Sequence, residues 1–446
     1  MSDAPQRAPD DLELLSQEEI LDTVDPPLLA RQLEYVFANS ELYRDKARDA
    51  GLNPEDAASP ANFKRLPFID KAELLADQGA YPPYGRLAVP PGDPRIRRIH
   101  ITSGSSAKPL YVVLTRNDIE NTLIAGRRAF RCAGLTPEDT VIHCLNYCLW
   151  AGGVTDHQNL EATGATVVPF GVGNTSRLID TILTLRPTAI SCTPSYMSRL
   201  EVVLKEEHGL GPRDLRLRKA FFGGEPGLQN PAVRARIEEK WGLKAIDANY
   251  GMADVLSIFG AECDARHGLH FHGQGLLHVE LIDPQTSAVL PFQEGQVGEM
   301  VLTNLRREAQ PLVRFRTRDV IRIVETGKCA CGRRSFRFLV EGRSDQMMVV
   351  RGVNVFPSAI ATLLAEQPGR FTGEFEVVLD SPPPYDTVLL RAELAENCTD
   401  EPDVVKRSLA DLCHRKLSFT PTINILRFGE FPRTEGKTKR VRRTYM

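Results

Sequence analysis

No apolar run in this 446-residue chain approaches the ~20 residues that a membrane span requires, so a transmembrane helix is not expected. Charge of one sign is equally lacking. The 55 Lys and Arg against 58 Asp and Glu leave a net charge of −3, which gives no reason to expect nucleic acid or a membrane surface as partner. Nine cysteines are scattered along the chain, too few and too dispersed for a disulfide scaffold. Met1 to Leu15 is polar and acidic with no secretory core, so a reducing cytoplasm is the expected setting. Several motifs are missing too. There is no H-E-x-x-H, no G-x-S-x-G and no Walker A loop, and Gly171-Val172-Gly173 lacks the third glycine of a dinucleotide fingerprint. Internal repeats and low-complexity tracts are absent.

Hydrophobic residues at 42% and charged residues at 25% fit an ordinary globular protein. The length suits two domains of about 100–200 residues or more. Residues 1–60 read as a polar, helix-prone lead-in, followed by a proline-punctuated entry to a Ser-rich loop. Short apolar runs then recur at Val141-Ile142-His143, Thr166-Val167-Val168, Thr188-Ala189-Ile190 and Lys219-Ala220-Phe221-Phe222. Helical patterns lie between them at Ser176–Leu185 and Ser195–His208. This alternation predicts parallel βαβ units with ligand sites beyond the strand C-termini. Glycine clusters fall there: Gly152-Gly153, Gly171 to Gly173 and Gly223-Gly224. Past Gly342 the pattern changes to hairpin-like strands and an amphipathic helix around Val404–Leu417. The expectation is an α/β chain: a large N-terminal domain (1–342) with mixed or parallel sheets and flanking helices, then a small mobile α+β C-terminal domain (343–446).

Three segments carry chemistry. In Thr102-Ser103-Gly104-Ser105-Ser106-Ala107-Lys108-Pro109, hydroxyls, a glycine-spaced backbone and a lysine suit a polyphosphate. Arg316-Thr317-Arg318-Asp319 offers a carboxylate for vicinal sugar hydroxyls. Pro432-Arg433-Thr434-Glu435-Gly436-Lys437 places a lysine on a turn. Each alone is equally a plain loop, and the basic tail after Lys437 reads as a solvated end. Their order, together with Gly223-Gly224-Glu225-Pro226, Tyr250-Gly251-Met252-Ala253-Asp254 and Gly342-Arg343-Ser344-Asp345, resembles the adenylate-forming superfamily. Within it the chain is most similar to phenylacetate–CoA ligases and related aryl–CoA ligases. Leu66-Pro67-Phe68, Cys192-Thr193-Pro194-Ser195-Tyr196 and Arg351-Gly352-Val353-Asn354-Val355-Phe356-Pro357 support that likeness over nearly the whole chain.

The resemblance implies roles residue by residue. Ser103, Gly104, Ser105, Ser106 and Lys108 would hold the ATP phosphates. Gly224, Glu225, Pro226, Asn249 and Tyr250 would line the adenine site, with Asp319 on the ribose and Arg343 nearby. Lys437 would be the catalytic lysine, Asp254 the Mg²⁺ ligand and Asp345 the hinge between half-reactions. Tyr147, Cys148, Trp150 and Gly152 match the acyl-pocket segment, although the same residues could be core packing. The implied reaction joins an aromatic acid to AMP and then passes the acyl group to CoA. Transfer to a carrier-protein thiol or an amine stays open, as do a homodimer and a non-catalytic nucleotide-binding homologue.

Two departures bear on activity. Ala253 stands where the superfamily carries a hydroxyl, and loss of that donor costs about 1.5–3 kcal/mol if a charged partner is left unpaired. Asp254 is shorter than the usual glutamate. A separate set, Cys263, His270, Cys329 and Cys331, offers soft ligands suited to a closed tetrahedral structural zinc. His267 and His272 are rival ligands, and the alternative is a group of reduced free cysteines.

Overall fold

Buried apolar runs become adjacent strands because each must satisfy its backbone hydrogen bonds out of water. The computed structural model describes residues 10–87, 89–102, 109–225, 228–351, 353–367, 369–383, 385–431 and 440–445. A hairpin of β1 (Ile96–Ile101) and β2 (Tyr111–Thr115) precedes the main sheet. That sheet has eleven strands. They are β3 (Thr140–His143), β4 (Thr166–Pro169), β5 (Ala189–Cys192), β6 (Lys219–Gly223), β7 (Lys244–Met252), β8 (Leu256–Glu262), β9 (Leu269–Phe271), β10 (Leu277–Ile282), β11 (Val297–Asn304), β12 (Phe315–Glu325) and β13 (Arg337–Arg343). Their spatial order is β10-β11-β12-β13-β9-β8-β7-β6-β5-β3-β4.

The stretch from β4 to β7 is parallel throughout, whereas β7-β8-β9 and β9-β13 pair antiparallel. This is the mixed α/β architecture expected from the sequence. After β3 the chain adds β4 on one side and then returns to add β5 on the other. Such a reversal opens a crevice beyond the strand C-termini, where open α/β sheets bind ligands. The Arg116–Cys132 helix covers this region, with Ala129 and Phe130 wholly buried. Phe130 meets Phe221 edge to face at 6.1 Å, in a cluster that includes Leu135, Val141, Leu160 and Ala189. A fully buried Phe contributes about 1.5–3 kcal/mol.

Two helical expectations were close. The Thr175–Leu185 helix begins at Asn174, whose side chain accepts from the Arg177 N–H. The second helix runs Pro194–Val203 and then widens into a looser coil over Leu204–His208. It stops at Gly209, where φ is +65°, a left-handed value that glycine adopts without strain.

Contacts group the chain into two units: 1–224 with 240–317 and 322–339, and 225–239 with 318–321 and 340–446. The second unit contains the hairpin β14 (Met348–Val350) with β15 (Val353–Val355), and a four-stranded sheet. That sheet is built from β16 (Phe371–Leu379), β17 (Leu389–Leu394), β18 (Thr422–Leu426) and β19 (Val441–Arg443), in the order β18-β17-β16-β19. Only β16 and β17 are antiparallel; β18 and β19 join in parallel. Helices Pro357–Ala365 and Pro402–Leu417 supply Ile360, Leu364 and Leu409 to a core with Phe375 and Leu390. This is an α+β module with its own hydrophobic core. No helix among the described residues is long and apolar enough to cross a membrane.

Candidate functional site

The crevice beyond β3 and β5 is organised by His143 at the end of β3. Its ring is wholly buried; Nε2 faces the carbonyls of Gly152 and Gly153 at 3.0 and 3.2 Å, and Nδ1 meets Ser191 Oγ at 3.1 Å. Two carbonyls opposite Nε2 require Nε2 to carry the proton, so Nδ1 accepts from the Ser191 hydroxyl. Burial pushes the His143 pKa down to about 4, which keeps the ring neutral. The histidine thereby ties the first turn of the Ala151–Glu161 helix to the sheet. Gly153 is needed there, because a Cβ would lie 2.4 Å from the Asn146 carbonyl oxygen.

Tyr147 stands edge-on between His143 and His157, with ring centroids 5.6 and 5.9 Å away. Its hydroxyl bonds His157 Nδ1 at 3.0 Å, and His157 Nε2 reaches Glu161 at 3.2 Å. Burial raises the Tyr147 pKa, so the phenol stays protonated. Leu149 is 61% exposed with φ at +67°, and Trp150 is 37% exposed. Cys148 is exposed as well. A strained non-glycine backbone beside exposed apolar side chains is an arrangement often found at ligand sites. Tyr147 and Gly152 thus lie together beyond the C-terminal end of β3, with exposed Cys148 and Trp150 on the segment between them.

Next along the sheet edge, Asn249 sits on β7 paired with Gly223 of β6. A Cβ at Gly223 would stand 2.4 Å from the Asn249 Cβ, so glycine is what lets the two strands close here. Asn249 Nδ2 donates to Asp156 Oδ2 at 2.7 Å. Burial of Asp156 pushes its pKa up to about 8. Tyr250 packs edge-to-face on Phe259 and Phe338, each 5.2 Å away. Gly224, at the end of β6, has φ of +79°.

Asp254 is 9% exposed, and its Oδ2 lies 3.6 Å from Lys71 Nζ. Buried Arg307 holds the adjoining Val255 carbonyl through Nη1 at 2.9 Å. A cavity beside Asp254 is walled by Leu74, Tyr84, Leu110 and Gln310. In the second unit Asp319 accepts from Arg343 Nη1 at 2.9 Å, and Arg343 also grips Asp345. Ser103, Gly104, Ser105, Ser106, Lys108, Pro226 and Lys437 lie outside the described residues, while Glu225 is described and half-buried.

The cysteine–histidine set converges. Ligand atoms of Cys263, His270, Cys329 and Cys331 all lie within 4.8 Å of one another. Cys263 Sγ and Cys329 Sγ are 3.6 Å apart, and Cys331 Sγ is 3.5 Å from His270 Nε2. Tetrahedral zinc with ~2.3 Å sulfur and ~2.05 Å nitrogen bonds has edges of about 3.5–3.8 Å, so this donor set fits that ion. Ser335 Oγ holds His270 Nδ1 at 3.0 Å, turning Nε2 inward. Neither rival joins the set: His267 is exposed, and His272 is engaged with Glu13 at 2.9 Å.

Sequence reasoning did not single out His143 as a site residue, nor Asp156, His157, Ser191 and Lys71. Only Asp156 left a signal, its spacing of four from Gly152 on one helix face.

The chain is similar to known proteins in sequence and fold. The family model for AMP-binding enzymes matches residues 23–304, and that for the AMP-binding enzyme C-terminal domain matches residues 352–443. The phenylacetate-coenzyme A ligase of Pseudomonas putida is 33% identical over 410 residues, 91% of this chain and 90% of its own. That of Thermus thermophilus is 31% identical over 451 residues, covering 97% and 98%. A crystal structure of 2-hydroxyisobutyryl-CoA ligase in the postadenylation state with 2-HIB-AMP superposes with a TM-score of 0.85 at 28% identity, over 99% of this chain and 93% of that one. From its sheet edge to its C-terminal module, the chain belongs to the AMP-binding enzyme family.

Proposed function

We propose that this enzyme activates an aromatic carboxylic acid with ATP and transfers the acyl group to CoA. A carboxylate oxygen attacks the α-phosphorus, pyrophosphate leaves, and acyl-AMP forms. The CoA thiol then adds to the acyl carbonyl, loses its proton to solvent, and AMP departs with the bonding electrons. The observation that carries this reading is the segment beyond the ends of β3 and β5, where Gly152 adjoins Asn249 through Asp156 and Tyr147 bonds His157 of the same helix. An aromatic side chain for the acyl group near a polar amide suited to a base supports this reading.

In this reading Asn249, Tyr250, Gly224, Glu225 and Pro226 hold adenine, and Asp319 takes the ribose hydroxyls. Ser103, Gly104, Ser105, Ser106 and Lys108 hold the phosphates. Lys437 stabilises the charge that develops during adenylation, and residues beyond Asp345 reorient for the second half-reaction. Asp254 fits Mg²⁺, which commonly takes one or two carboxylates and fills its other positions with phosphate and water oxygens. When bound, that ion would neutralise phosphate charge. Cys263, His270, Cys329 and Cys331 fit a structural zinc with no open position.

Release of AMP and pyrophosphate with a panel of aryl acids and small hydroxy acids, with and without CoA, tests the reading. An aryl acid should drive ATP–pyrophosphate exchange, and CoA should convert the adduct to a thioester seen by mass. Acyl-AMP persisting in saturating CoA would favour a carrier thiol or an amine; no acid-dependent exchange would defeat the proposal.

A further inference from the structure

Asp156 lies under two segments that the proposed reaction uses separately. A Cβ at Gly152, in the acyl segment, would stand 3.6 Å from Asp156 Oδ2, the oxygen that accepts from Asn249 Nδ2 at 2.7 Å. The carboxyl is 2% exposed. Its neighbours are polar: the Ser257 hydroxyl hydrogen-bonds the carboxyl and accepts from Asn159 Nδ2 at 3.2 Å. Asp156 Oδ1 and Asn159 Oδ1 are buried without partners, so acceptors outnumber donors in this nest. Asn249 itself is only half-buried, on β7 opposite Gly223 at the C-terminal end of β6.

We infer that Asp156 is a positioning residue that fixes the Asn249 amide with its NH₂ inward, so that Asn249 offers its carbonyl oxygen to the ligand. With the carboxyl ionised or protonated on Oδ1, a reversed amide would set Asn249 Oδ1 against Asp156 Oδ2, two acceptors at hydrogen-bond distance in a site shielded from water. Ionised, Asp156 can only accept. Protonated on Oδ1, it still leaves Oδ2 for the NH₂ group. The ligand group matched to Asn249 is therefore a neutral N–H or O–H donor. Two parts of the reactants could supply it: the 6-amino group of the purine, or an amino or hydroxyl substituent on the acid. The choice is between a site that rewards a donor and one that merely tolerates it, since buried polar groups left unpaired discriminate strongly against analogues. This inference rests on the proposed assignment of Asn249 to the ligand site.

The test measures two selectivity ratios on the intact protein: kcat/KM for ATP against ITP, whose base has a 6-oxo group, and for an amino- or hydroxy-substituted aryl acid against its unsubstituted parent. AMP and IMP affinities by calorimetry give a readout that does not need turnover. Wild-type protein should prefer the donor in at least one ratio. Asp156→Asn is nearly isosteric and can meet Asn249 with either end of its amide, so that ratio should fall about fivefold or more, while the other ratio holds. Asn249→Ala should do the same. Ser257→Ala, which removes the Ser257 bond to Asp156 but leaves the Asp156–Asn249 bond in place, should keep the preference and controls for loss of folding. A fall in the nucleotide ratio assigns the donor to the base, and a fall in the acid ratio assigns it to the acyl group. Uniform loss of activity with both ratios unchanged in Asp156→Asn would overturn the inference, as would a wild type indifferent to both donors. A wild type that binds AMP over IMP but forms no acyl-AMP would instead defeat the proposed reaction and leave this inference standing.

Discussion

Arg343 grips Asp345 with Nε and Nη2, at 3.0 and 2.9 Å, while its Nη1 donates to Asp319 at 2.9 Å. One planar guanidinium thus joins the carboxylate proposed for ribose to the proposed hinge residue, a fork that lysine cannot reproduce. The side chains of Arg343 and Asp345 are 38% and 49% exposed, so the pair adds little to stability. Arg343→Gln should therefore leave the thermal midpoint within about 2–4 °C of wild type. The same change should raise the KM for ATP about tenfold, because charge-assisted bonds that orient Asp319 are lost. Differential scanning fluorimetry beside steady-state kinetics checks both. A large drop in melting temperature with an unchanged KM would show the fork to be structural.

Glu13, His272 and Arg333 form a buried trio, 1%, 0% and 2% exposed. Glu13 Oε1 accepts from Arg333 Nε at 2.7 Å and from His272 Nδ1 at 2.9 Å. Burial opposes ionisation of Glu13, yet the His272 bond and the Arg333 charge outweigh it and hold the carboxyl down at about 2. His272 is pushed down to about 4 by burial and donates as a neutral ring. A depressed carboxylate contributes stability above its unfolded value near 4.5, and that contribution is lost as pH falls through about 2. Glu13→Gln takes the carboxylate partner from a buried guanidinium and should cost about 3–5 kcal/mol at pH 7. The gap between wild type and variant, measured by urea denaturation, should narrow from pH 5 to pH 2. A constant gap would reject the ionised trio.

The parts legible in the sequence were those whose signal is local. The parallel strands announced themselves because β3 and β5 are buried on both faces and carry short apolar runs, Val141-Ile142 and Ala189-Ile190. The Thr175–Leu185 helix showed its buried stripe of Leu178, Ile179 and Ile182. Parallel addition of β18 and β19 was not readable, since a small module's strand order depends on long-range packing. Asp156 and His143 escaped for the same reason: their partners lie 93 and 48 residues away, and neither side chain carries a motif. The cysteine–histidine set was found only through its ligand chemistry. Its halves meet because β9 pairs with both β8 and β13, setting His270 opposite Ala261 and Arg337.

That convergence predicts a metal-dependent fold around Cys263, His270, Cys329 and Cys331. Protein purified without added metal should carry about one zinc per chain in a single four-ligand site. Cys329→Ser should lower zinc content and melting temperature together, because such binding is coupled to folding. His272→Gln should keep the zinc, since His272 is engaged with Glu13 rather than with the cluster. Elemental analysis of the three proteins decides the point. Zinc retained in Cys329→Ser at full occupancy would remove Cys329 from the ligand set.

The Lys71–Asp254 pair sets the last expectation. An ammonium 3.6 Å from the carboxylate proposed for Mg²⁺ competes with that ion, and Asp254 is too buried for solvent to dilute the effect. Lys71→Met removes the competitor while keeping most of the stem's packing. Half-saturation of ATP–pyrophosphate exchange should then need about threefold to tenfold less Mg²⁺ than in wild type, an effect of roughly 1 kcal/mol. Asp254→Asn should act in the opposite sense and raise the requirement, because an amide oxygen carries no charge to hold the cation. The two curves discriminate between roles for Lys71. If Lys71→Met instead demands more Mg²⁺ or abolishes exchange at every concentration, the lysine works with the phosphates and not against the metal.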